Sequence, residues 1–391
     1  MLNTSLSPWP SFTQEEADAV SKVLLSNKVN YWTGTECREF EKEFAAFAGT
    51  QYAVALSNGT LALDVALKAM GISAGDDVIV TSRTFLASAS CIVTAGANPV
   101  FADVDLNSQN ISAETIKAAL TPNTKAVIVV HLAGMPAEMD GIMDLAKEHD
   151  LWVIEDCAQA HGAKYKGKPV GSIGHVGAWS FCQDKIMTTG GEGGMVTTND
   201  KELWSKMWSY KDHGKSYDAV YHREHAPGFR WLHESFGTNW RMMEMQAVIG
   251  RIQLKRMPEW TARRQAHAAK LAESLGKFAS IRLIEITDYI EHAQYKFYAF
   301  VKPEHLKDGW TRDRIVNELN ARKVPCYQGS CSEVYLEKAF DNTPWRPKER
   351  LKNAVELGDT SLMFLVHPTL TDDEIAFCKE HIEAVLAEAT A

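Results

Sequence analysis

A single lysine, Lys185, stands between the apolar segment GAWSF (177–181) and a loop with four glycines at positions 190–194. Lysine is a residue that forms Schiff bases with carbonyl compounds. Its pKa, roughly 10.4 in water, falls when the amine loses contact with solvent or lies near other positive charge. The glycines would let the chain turn tightly without side chains that crowd a ligand on the amine. A solvated loop lysine without a chemical role is the alternative.

A candidate phosphate site lies earlier in the chain, at the segment SNGT (57–60). It follows the strand-like run YAVAL (52–56) and precedes a helical pattern that begins near Thr60. A strand, a glycine turn and a helix N-terminus point backbone N–H groups and the positive end of a helix dipole outward, which favours phosphate. Gly59 and Thr60 are therefore candidate ligands, although any turn from strand to helix favours Asn, Gly and an N-capping Thr.

Two further polar residues each stand at the end of an apolar segment. Asp156 ends WVIED, with Gln159 three residues later, and Ser180 ends VGAWS. In parallel sheets, ligands bind beyond the carboxyl ends of the strands. A carboxylate after so apolar a run lies in a low-dielectric setting and needs a partner, which could be a ligand, a helix N-terminus or a buried arginine. The Ser180 hydroxyl could donate to an anion or begin a turn.

Together these residues match the needs of one cofactor, pyridoxal 5′-phosphate. The cofactor requires an anchor for its phosphate, an anion beside its ring nitrogen and an amine that can join its aldehyde. The SNGT turn, Asp156 and Lys185 supply these three groups. The sequence therefore predicts a pyridoxal 5′-phosphate site.

The segments that position these groups alternate between short apolar runs and helical patterns from Tyr52 to about Asn199. This alternation predicts βαβ units and a buried, largely parallel sheet. Beyond about Arg241, a long helical pattern contains Pro258, where we expect a kink or break. We interpret residues 1–250 as an N-terminal segment with a large α/β domain and residues 251–391 as a smaller C-terminal α/β domain. Further helices are predicted near 14–26, 36–47, 311–321 and 372–388, and strands in 281–286 and 295–301.

The composition argues against binding to nucleic acids or membranes. The 391 residues carry a net charge of -9, which does not favour polyanions or anionic lipid. No stretch has the roughly 20 apolar residues of a membrane helix, and the first residues lack the pattern of a signal peptide. The seven scattered cysteines favour a reducing compartment and show no zinc-ligand spacing. We expect a cytoplasmic protein without a metal site.

The sequence resembles the DegT/DnrJ/EryC1/StrS family of sugar aminotransferases, most clearly over residues 52–255. The resemblance implies the α/β fold of type I pyridoxal-phosphate enzymes, with a mostly parallel seven-stranded sheet in the large domain and a smaller C-terminal α/β domain. The matching segments keep a consistent order and spacing, which is more specific than a single glycine motif. They are SNGTLALDVALKAMGISAGDDVIV, TFLASASCIVTAGANPVFADVD, VVHLAGMPAEMD, VIEDCAQAHGAKYKGKPVGSIG, SFCQDKIMTTGGEGGMVTTND and FGTNWRMMEMQAVIGRIQL.

The resemblance also implies roles for individual residues. Lys185 matches the lysine that joins the cofactor and moves protons during transamination. Some relatives have histidine there and act as dehydratases, so a lysine favours transamination. The residues that match cofactor ligands are Gly59, Thr60 and Ser180 for the phosphate, Phe85 for the ring face, Asp156 for the ring nitrogen and Gln159 near the ring hydroxyl.

A second copy of the chain is implied by Asn239, which matches an asparagine that reaches the phosphate from the neighbouring subunit. The expected assembly is a homodimer with shared active sites. Substrate contacts match less well, because the segment 324–335 departs from the histidine-containing pattern of many relatives and leaves the sugar open. Thr33, His213 and Tyr217 resemble residues of the sugar pocket, although they could equally be ordinary loop residues.

The expected activity is the transfer of an amino group from L-glutamate to a keto group of a nucleotide-linked sugar, with a 4-keto-6-deoxy sugar expected first. The product would serve amino-sugar and surface-polysaccharide synthesis. A 3-keto sugar and an aminocyclitol precursor are alternative acceptors. A pyridoxal-phosphate-dependent sugar dehydratase would use the same cofactor ligands. A non-catalytic regulatory protein is the remaining alternative, but it would have lost at least one predicted ligand, and none is missing.

Overall fold

The protein is represented by a computed structural model that describes residues 6–391. Residues 1–5 lie outside the described residues. They belong to the N-terminal segment for which the sequence predicts no signal peptide. The strands are β1 (Tyr52–Leu56), β2 (Asp77–Thr81), β3 (Asn98–Ala102), β4 (Thr124–Val130), β5 (Trp152–Asp156), β6 (Lys164–Tyr165), β7 (Lys168–Pro169), β8 (Val176–Ser180), β9 (Gly194–Thr198), β10 (Ile281–Leu283), β11 (Ile290–Glu291), β12 (Phe297–Val301), β13 (Cys326–Tyr327) and β14 (Ser361–Phe364). The α-helices are α1 (Gln14–Leu25), α2 (Glu36–Ala48), α3 (Gly59–Ala69), α4 (Ala87–Thr94), α5 (Ala113–Ala119), α6 (Met139–Glu148), α7 (Lys201–Tyr210), α8 (Tyr217–Tyr221), α9 (Glu244–Leu275), α10 (Arg312–Ala321), α11 (Lys352–Thr360) and α12 (Asp372–Ala389).

The central sheet has seven strands in the order β1-β9-β8-β5-β4-β2-β3. The strands run parallel except β9, which is antiparallel to both of its neighbours. Alternate strand residues pack against α3, α4 and α7 on one face and against α2, α5 and α6 on the other. Burial on both faces explains why these strands are almost continuously apolar. The predicted seven-stranded, mostly parallel sheet is confirmed.

The carboxyl ends of β1, β5 and β8 meet at one edge of this sheet. β5 and β8 are parallel, and β1 shares their direction because both β1 and β8 are antiparallel to β9. Asp156 is the last residue of β5 and Ser180 is the last residue of β8. The chain leaves β1 to begin α3 at Gly59, and the loop that contains Lys185 connects β8 to β9. The topology therefore brings the predicted ligands to one place.

The long helix α9 leads from the central sheet to a four-stranded sheet with the order β10-β12-β14-β13, which packs against α10 and α12. α9 continues through Pro258, so the predicted break does not occur. Contacts of α9 with α1, α2 and α12 outweigh the cost of an internal proline, about 3 kcal/mol. The predicted boundary between residues 250 and 251 falls within α9 and stays a prediction.

Helices α1 and α2 lie along α9, a placement that the sequence pattern does not predict. Arg251 donates to both carboxylate oxygens of Glu43 at 2.9 and 2.6 Å. Phe40 packs so closely on Gly250 that a Cβ at position 250 would lie 2.5 Å from the ring. The predicted helices near 14–26 and 36–47 are confirmed. None of the helices in residues 6–391 has both the length and the apolar character to cross a bilayer.

A small third sheet, β11-β6-β7, fixes the chain between α9 and β12 against the central part of the protein. β11 pairs with β6, which follows β5 in the chain. Just beyond β11, the N–H groups of Ala293 and Tyr295 donate to the carbonyl groups of Gly134 and Ala133, both at 2.9 Å. This pairing brings the segment that precedes β12 to the edge of the central sheet where Lys185 lies.

Candidate functional site

A cleft of about 600 Å³ opens at the carboxyl edge of the central sheet. A second space of about 460 Å³, here called the adjoining recess, shares Phe85, Gln159 and Lys185 with it and extends toward β12. The predicted catalytic and cofactor-binding residues that line the main cleft are Gly59, Thr60, Phe85, Asp156, Gln159, Ser180 and Lys185. Residues predicted from separate segments of the sequence therefore meet in one site.

The start of α3 forms one end of the cleft. The Asn58 side chain caps this helix by accepting a hydrogen bond from the Leu61 N–H at 3.0 Å. The N–H groups of Gly59 and Thr60 lie in the first turn, where a helix offers no backbone acceptor. A Cβ on Gly59 would lie 2.5 Å from the Cβ of Ser180, so only glycine allows this approach. Two backbone donors and one hydroxyl thus converge on a place suited to an anion.

The glycine-rich loop after Lys185 serves two purposes. Gly190 and Gly191 have φ angles of +87° and +125°, which confirms the predicted tight turn. Gly193 and Gly194 are required for packing instead. A Cβ at position 193 would lie 2.0 Å from Thr189 Oγ1, and one at 194 would lie 2.1 Å from the Asn58 carbonyl oxygen. The second glycine pair therefore lets β9 pass directly beneath the anion site at α3.

The Asp156 carboxylate lies at the bottom of the cleft and is 6% exposed. Ser88 Oγ donates to its Oδ2 at 2.8 Å, and the Ala158 N–H donates to its Oδ1 at 3.1 Å. Burial raises the pKa of Asp156 above its ordinary value, while Ser88, Ala158 and the charge of Lys185 act in the opposite direction. Within residues 6–391 no arginine pairs with this carboxylate, so the predicted alternative of a buried arginine partner does not hold. Its close partners are neutral donors, which suits a cationic ring nitrogen.

Gln159 and Phe85 provide two further surfaces of the cleft. Gln159 Oε1 accepts a hydrogen bond from the Ala133 N–H at 2.8 Å. This contact fixes the side-chain amide and leaves its NH₂ group as a donor. The Phe85 side chain is 71% exposed, which is high for a large aromatic residue that lines a cleft. A flat aromatic ligand would cover its ring face.

Lys185 points into the cleft interior with a side chain that is 18% exposed. Its Nζ lies 3.7 Å from Asp184 Oδ1 and 5.5 Å from the centroid of the Tyr295 ring. Asp184 also accepts a hydrogen bond from the Tyr295 hydroxyl at 2.6 Å. Burial acts to raise the pKa of Asp184, but Lys185 and the Tyr295 hydroxyl lead the opposing causes, and the pKa lies below its ordinary value. The solvated loop lysine considered from the sequence does not occur.

The residues present fit pyridoxal 5′-phosphate. The N–H groups at the start of α3 and the Ser180 hydroxyl would hold the phosphate, and Asp156 would face the ring nitrogen. Phe85 and Gln159 would contact the ring, and Lys185 supplies the primary amine. The fit depends on Gly59, because any Cβ at that position would fill the space between α3 and Ser180. This donor set supports the cofactor predicted from the sequence.

The remaining predicted residues do not line the cleft of their own chain. Asn239 is exposed and forms an isolated β-bridge with Asp212. Thr33 and His213 are exposed, and Tyr217 packs against the rings of aromatic residues of α7. The role of Asn239 at the phosphate site of a second copy of the chain stays a prediction. The substrate roles of Thr33, His213 and Tyr217 stay predictions.

Several site residues are not predicted from the sequence. Ser88 belongs to the short helix α4 and has no motif that marks it as a partner of Asp156. Tyr295 and Lys296 belong to a segment predicted only as a strand, and they reach the site through the β11–β6 pairing. Asp184 precedes Lys185, and this adjacency is the one signal that the sequence offers.

One group of candidate metal ligands lies beside the site and has a structural explanation. A ligand atom of each of His131, Glu155 and Cys157 lies within 4.8 Å of the others. The Glu155 carboxylate accepts hydrogen bonds from His131 Nε2 and from three N–H groups of the turn 171–174. His131 Nδ1 accepts from the Ala137 N–H at 3.0 Å. Because the His131 and Glu155 atoms already have partners, these two residues support the turn 171–174 beside β5.

Comparison with known proteins gives a consistent result. The family profile of the DegT/DnrJ/EryC1/StrS aminotransferase family matches residues 10–383. The chain is 42% identical to GDP-perosamine synthase of Escherichia coli O157:H7 over 95% of this chain and 96% of that protein. It is 41% identical to UDP-N-acetyl-3-dehydro-alpha-D-glucosamine 3-aminotransferase of Acidithiobacillus ferrooxidans over 91% of this chain and 90% of that protein.

A crystal structure of an aminotransferase from Psychrobacter cryohalolentis is 65% identical in sequence and superimposes with a TM-score of 0.96, covering 98% of this chain and 99% of that one. The comparisons confirm the resemblance, the fold class and pyridoxal phosphate as the cofactor that were predicted from the sequence.

Proposed function

Since the chain belongs to the DegT/DnrJ/EryC1/StrS aminotransferase family and is a pyridoxal-phosphate-dependent sugar aminotransferase, we propose that it transfers an amino group from L-glutamate to a nucleotide-linked keto sugar. The proposed acceptor is a 4-keto-6-deoxy sugar, and the product is an amino sugar for surface polysaccharides. The observation that carries the proposal is the convergence of Lys185, Asp156 and the start of α3 in one cleft.

The relatives support a nucleotide-linked acceptor, and the adjoining recess supports a 6-deoxy sugar. Two relatives of similar identity have names that specify nucleotide-linked sugars. The recess is lined by Leu86, Val334 and Met363 beside polar groups. An apolar wall of this kind suits the methyl group that a 6-deoxy sugar has in place of a hydroxymethyl group.

Four residues would bind and orient the cofactor. Gly59, Thr60 and Ser180 hold the phosphate with neutral donors at the positive end of α3. Asp156 keeps the ring nitrogen protonated, because its carboxylate is held in place by Ser88 and Ala158. When bound in this way, pyridoxal phosphate supplies an electron sink for the bond that breaks at the donor's Cα.

Lys185 would act as the acid and base of the reaction. Its Nζ would take up the proton from Cα of the donor amino acid and hold it for return during the transfer. General acid–base transfer of this kind contributes typically about 10²–10⁴-fold to the rate. Asp184 Oδ1 lies 3.7 Å from the amine, and the Tyr295 hydroxyl keeps Asp184 in place by donating a hydrogen bond to it at 2.6 Å.

We further propose that the protein is a cytoplasmic homodimer in which Asn239 of each copy reaches the phosphate site of the other. The exposed position of Asn239 outside the cleft of its own chain supports this arrangement. All seven cysteines are unpaired, which fits a reducing compartment. Light scattering of the Asn239→Ala variant would show whether the dimer persists. A loss of cofactor affinity in an intact dimer could then be distinguished from a loss of the dimer.

The proposed activity is tested with purified protein, L-glutamate and a panel of nucleotide-linked 4-keto-6-deoxy sugars, 3-keto sugars and an aminocyclitol ketone. We expect 2-oxoglutarate and a 4-amino sugar, identified by mass spectrometry and NMR. Amination of only a 3-keto sugar or cyclitol would refute the proposed acceptor. Loss of water from the sugar without 2-oxoglutarate would indicate a dehydratase, and no reaction with a bound cofactor would favour a regulatory protein.

A further inference from the structure

A second lysine, Lys296, lines the adjoining recess beside Lys185. It reaches the recess because the preceding strand β11 pairs with β6 and the Tyr295 N–H donates to the Ala133 carbonyl. The Nζ atoms of Lys185 and Lys296 lie 5.5 and 4.8 Å from the centroid of the same ring, that of Tyr295. The two amines therefore border one aromatic side chain in the wall of the recess.

Lys296 has no anionic partner within residues 6–391, since no carboxylate oxygen lies within 4.0 Å of its Nζ. The acids that line the recess are Asp184 and Glu337. Asp184 is already in contact with Lys185 and accepts a hydrogen bond from Tyr295. A poorly solvated cation without a partner is unfavourable. An anionic ligand in the recess would remove that cost.

Arg264 adds positive charge next to this wall. Its side chain is buried, and its Nη1 donates to the Tyr295 carbonyl at 3.3 Å. Its Nε and Nη2 have no hydrogen-bond partner among the described residues. Burial is the largest cause that lowers the pKa of Lys296 to about 8; Asp184 acts to raise it, and Arg264 and Lys185 lower it. A carboxylate in the recess would offset the repulsion among these three cations.

We propose that Lys296 binds a carboxylate of the amino donor, an inference that rests on the proposed function. A donor whose amine takes the place of the Lys185 amine carries its α-carboxylate on the neighbouring carbon. That carboxylate therefore lies near the Tyr295 ring, which both lysines border. The diphosphate of a nucleotide sugar lies across the sugar ring from a C4 keto group and is farther from Lys185. Lys296 thus acts as a binding residue for the first half-reaction.

The test uses the holoenzyme without any sugar and compares Lys296→Met and Lys296→Arg with wild type. Lys302→Met is the matched control, because Lys302 directly follows β12 and lines neither space. The dissociation constant of glutarate, a dicarboxylate that cannot be transaminated, is measured by calorimetry. Glutamate affinity and the saturating rate come from single-turnover loss of the cofactor absorbance. Bound cofactor and melting temperature verify that each variant folds.

We expect Lys296→Met to weaken glutarate and glutamate binding about 10-fold or more, because a charge-assisted contact is lost. The saturating rate should fall much less, Lys296→Arg should restore most of the affinity, and Lys302→Met should match wild type. Unchanged glutarate and glutamate binding in Lys296→Met would overturn the inference. In a separate steady-state assay with a ketosugar, a defect confined to the KM of the ketosugar would also overturn the inference and would indicate a phosphate contact. If wild type reacts with another amino acid instead of glutamate, the proposed donor is wrong, and the same comparison with that amino acid decides the role of Lys296.

Discussion

Ser88 Oγ donates a hydrogen bond of 2.8 Å to Asp156 Oδ2, and both side chains are buried. Ser88 is held in turn by Thr84, whose hydroxyl lies 2.9 Å away. The contact fixes the carboxylate in the orientation in which it would face a ring nitrogen. Because Ser88 counteracts the rise in the pKa of Asp156 caused by burial, it also helps to keep the carboxylate ionised.

We expect Ser88→Ala to weaken binding of pyridoxal phosphate and to lower kcat by about 10-fold, since a buried acceptor loses its donor. The pKa of Asp156 should rise further, because a cause that lowers it is removed. Cofactor affinity of the apoprotein and steady-state rates measure both effects. Ser90→Ala, at a half-buried position of the same helix, serves as the control. Equal cofactor affinity in the two variants would show that Ser88 does not support Asp156.

Gly59→Ala should damage the phosphate site directly. The added methyl would lie 2.5 Å from the Ser180 Cβ and force α3 away from β8. Overpacking of this kind costs about 1–3 kcal/mol of stability. We expect a lower melting temperature and a much higher dissociation constant for the cofactor. Gly141→Ala, at an exposed position of α6 where the added Cβ would lie 3.3 Å from the Ala113 Cβ, should leave cofactor affinity unchanged, and a Gly59→Ala variant with normal cofactor affinity would contradict the assigned phosphate site.

The pH dependence of cofactor binding should report on Asp156. Its pKa is raised by burial, so the carboxylate is lost as the pH falls through a value above the ordinary one. The ion pair with the ring nitrogen is therefore present above that pKa and lost below it. Asp156→Asn should bind pyridoxal phosphate roughly 10- to 100-fold more weakly than wild type near pH 8. The difference should shrink toward about pH 4, as both side chains become neutral. If the ratio of the two dissociation constants did not change with pH, Asp156 would not be the partner of the ring nitrogen.

The positions of Lys185, Asp156 and Ser180 could be predicted because local signals fix them. Asp156 and Ser180 end apolar strands, Lys185 follows one, and parallel strands place their carboxyl ends at one edge of the sheet. The start of α3 is likewise marked by its glycine turn and cap.

Residues that arrive through distant pairing could not be predicted in the same way. Lys296 reaches the recess through the two-residue strand β11, a contact too short to leave a pattern. Ser88 acts through a hydrogen bond between α4 and β5, which are separated in the chain by β3, α5, β4 and α6. Pro258 shows the opposite case, where a clear local signal for a break is overridden by packing along α9.

The identity of the reactive amine is tested most directly by reducing the holoenzyme with borohydride and locating the fixed cofactor by peptide mass spectrometry. Two lysines line the space next to the predicted ring position, Lys185 and Lys296, and the pKa of Lys296 is lowered to about 8. We predict a single phosphopyridoxyl group on Lys185, absent from Lys185→Ala together with turnover. A group on Lys296, or a wild-type protein that retains no cofactor after reduction, would contradict the account.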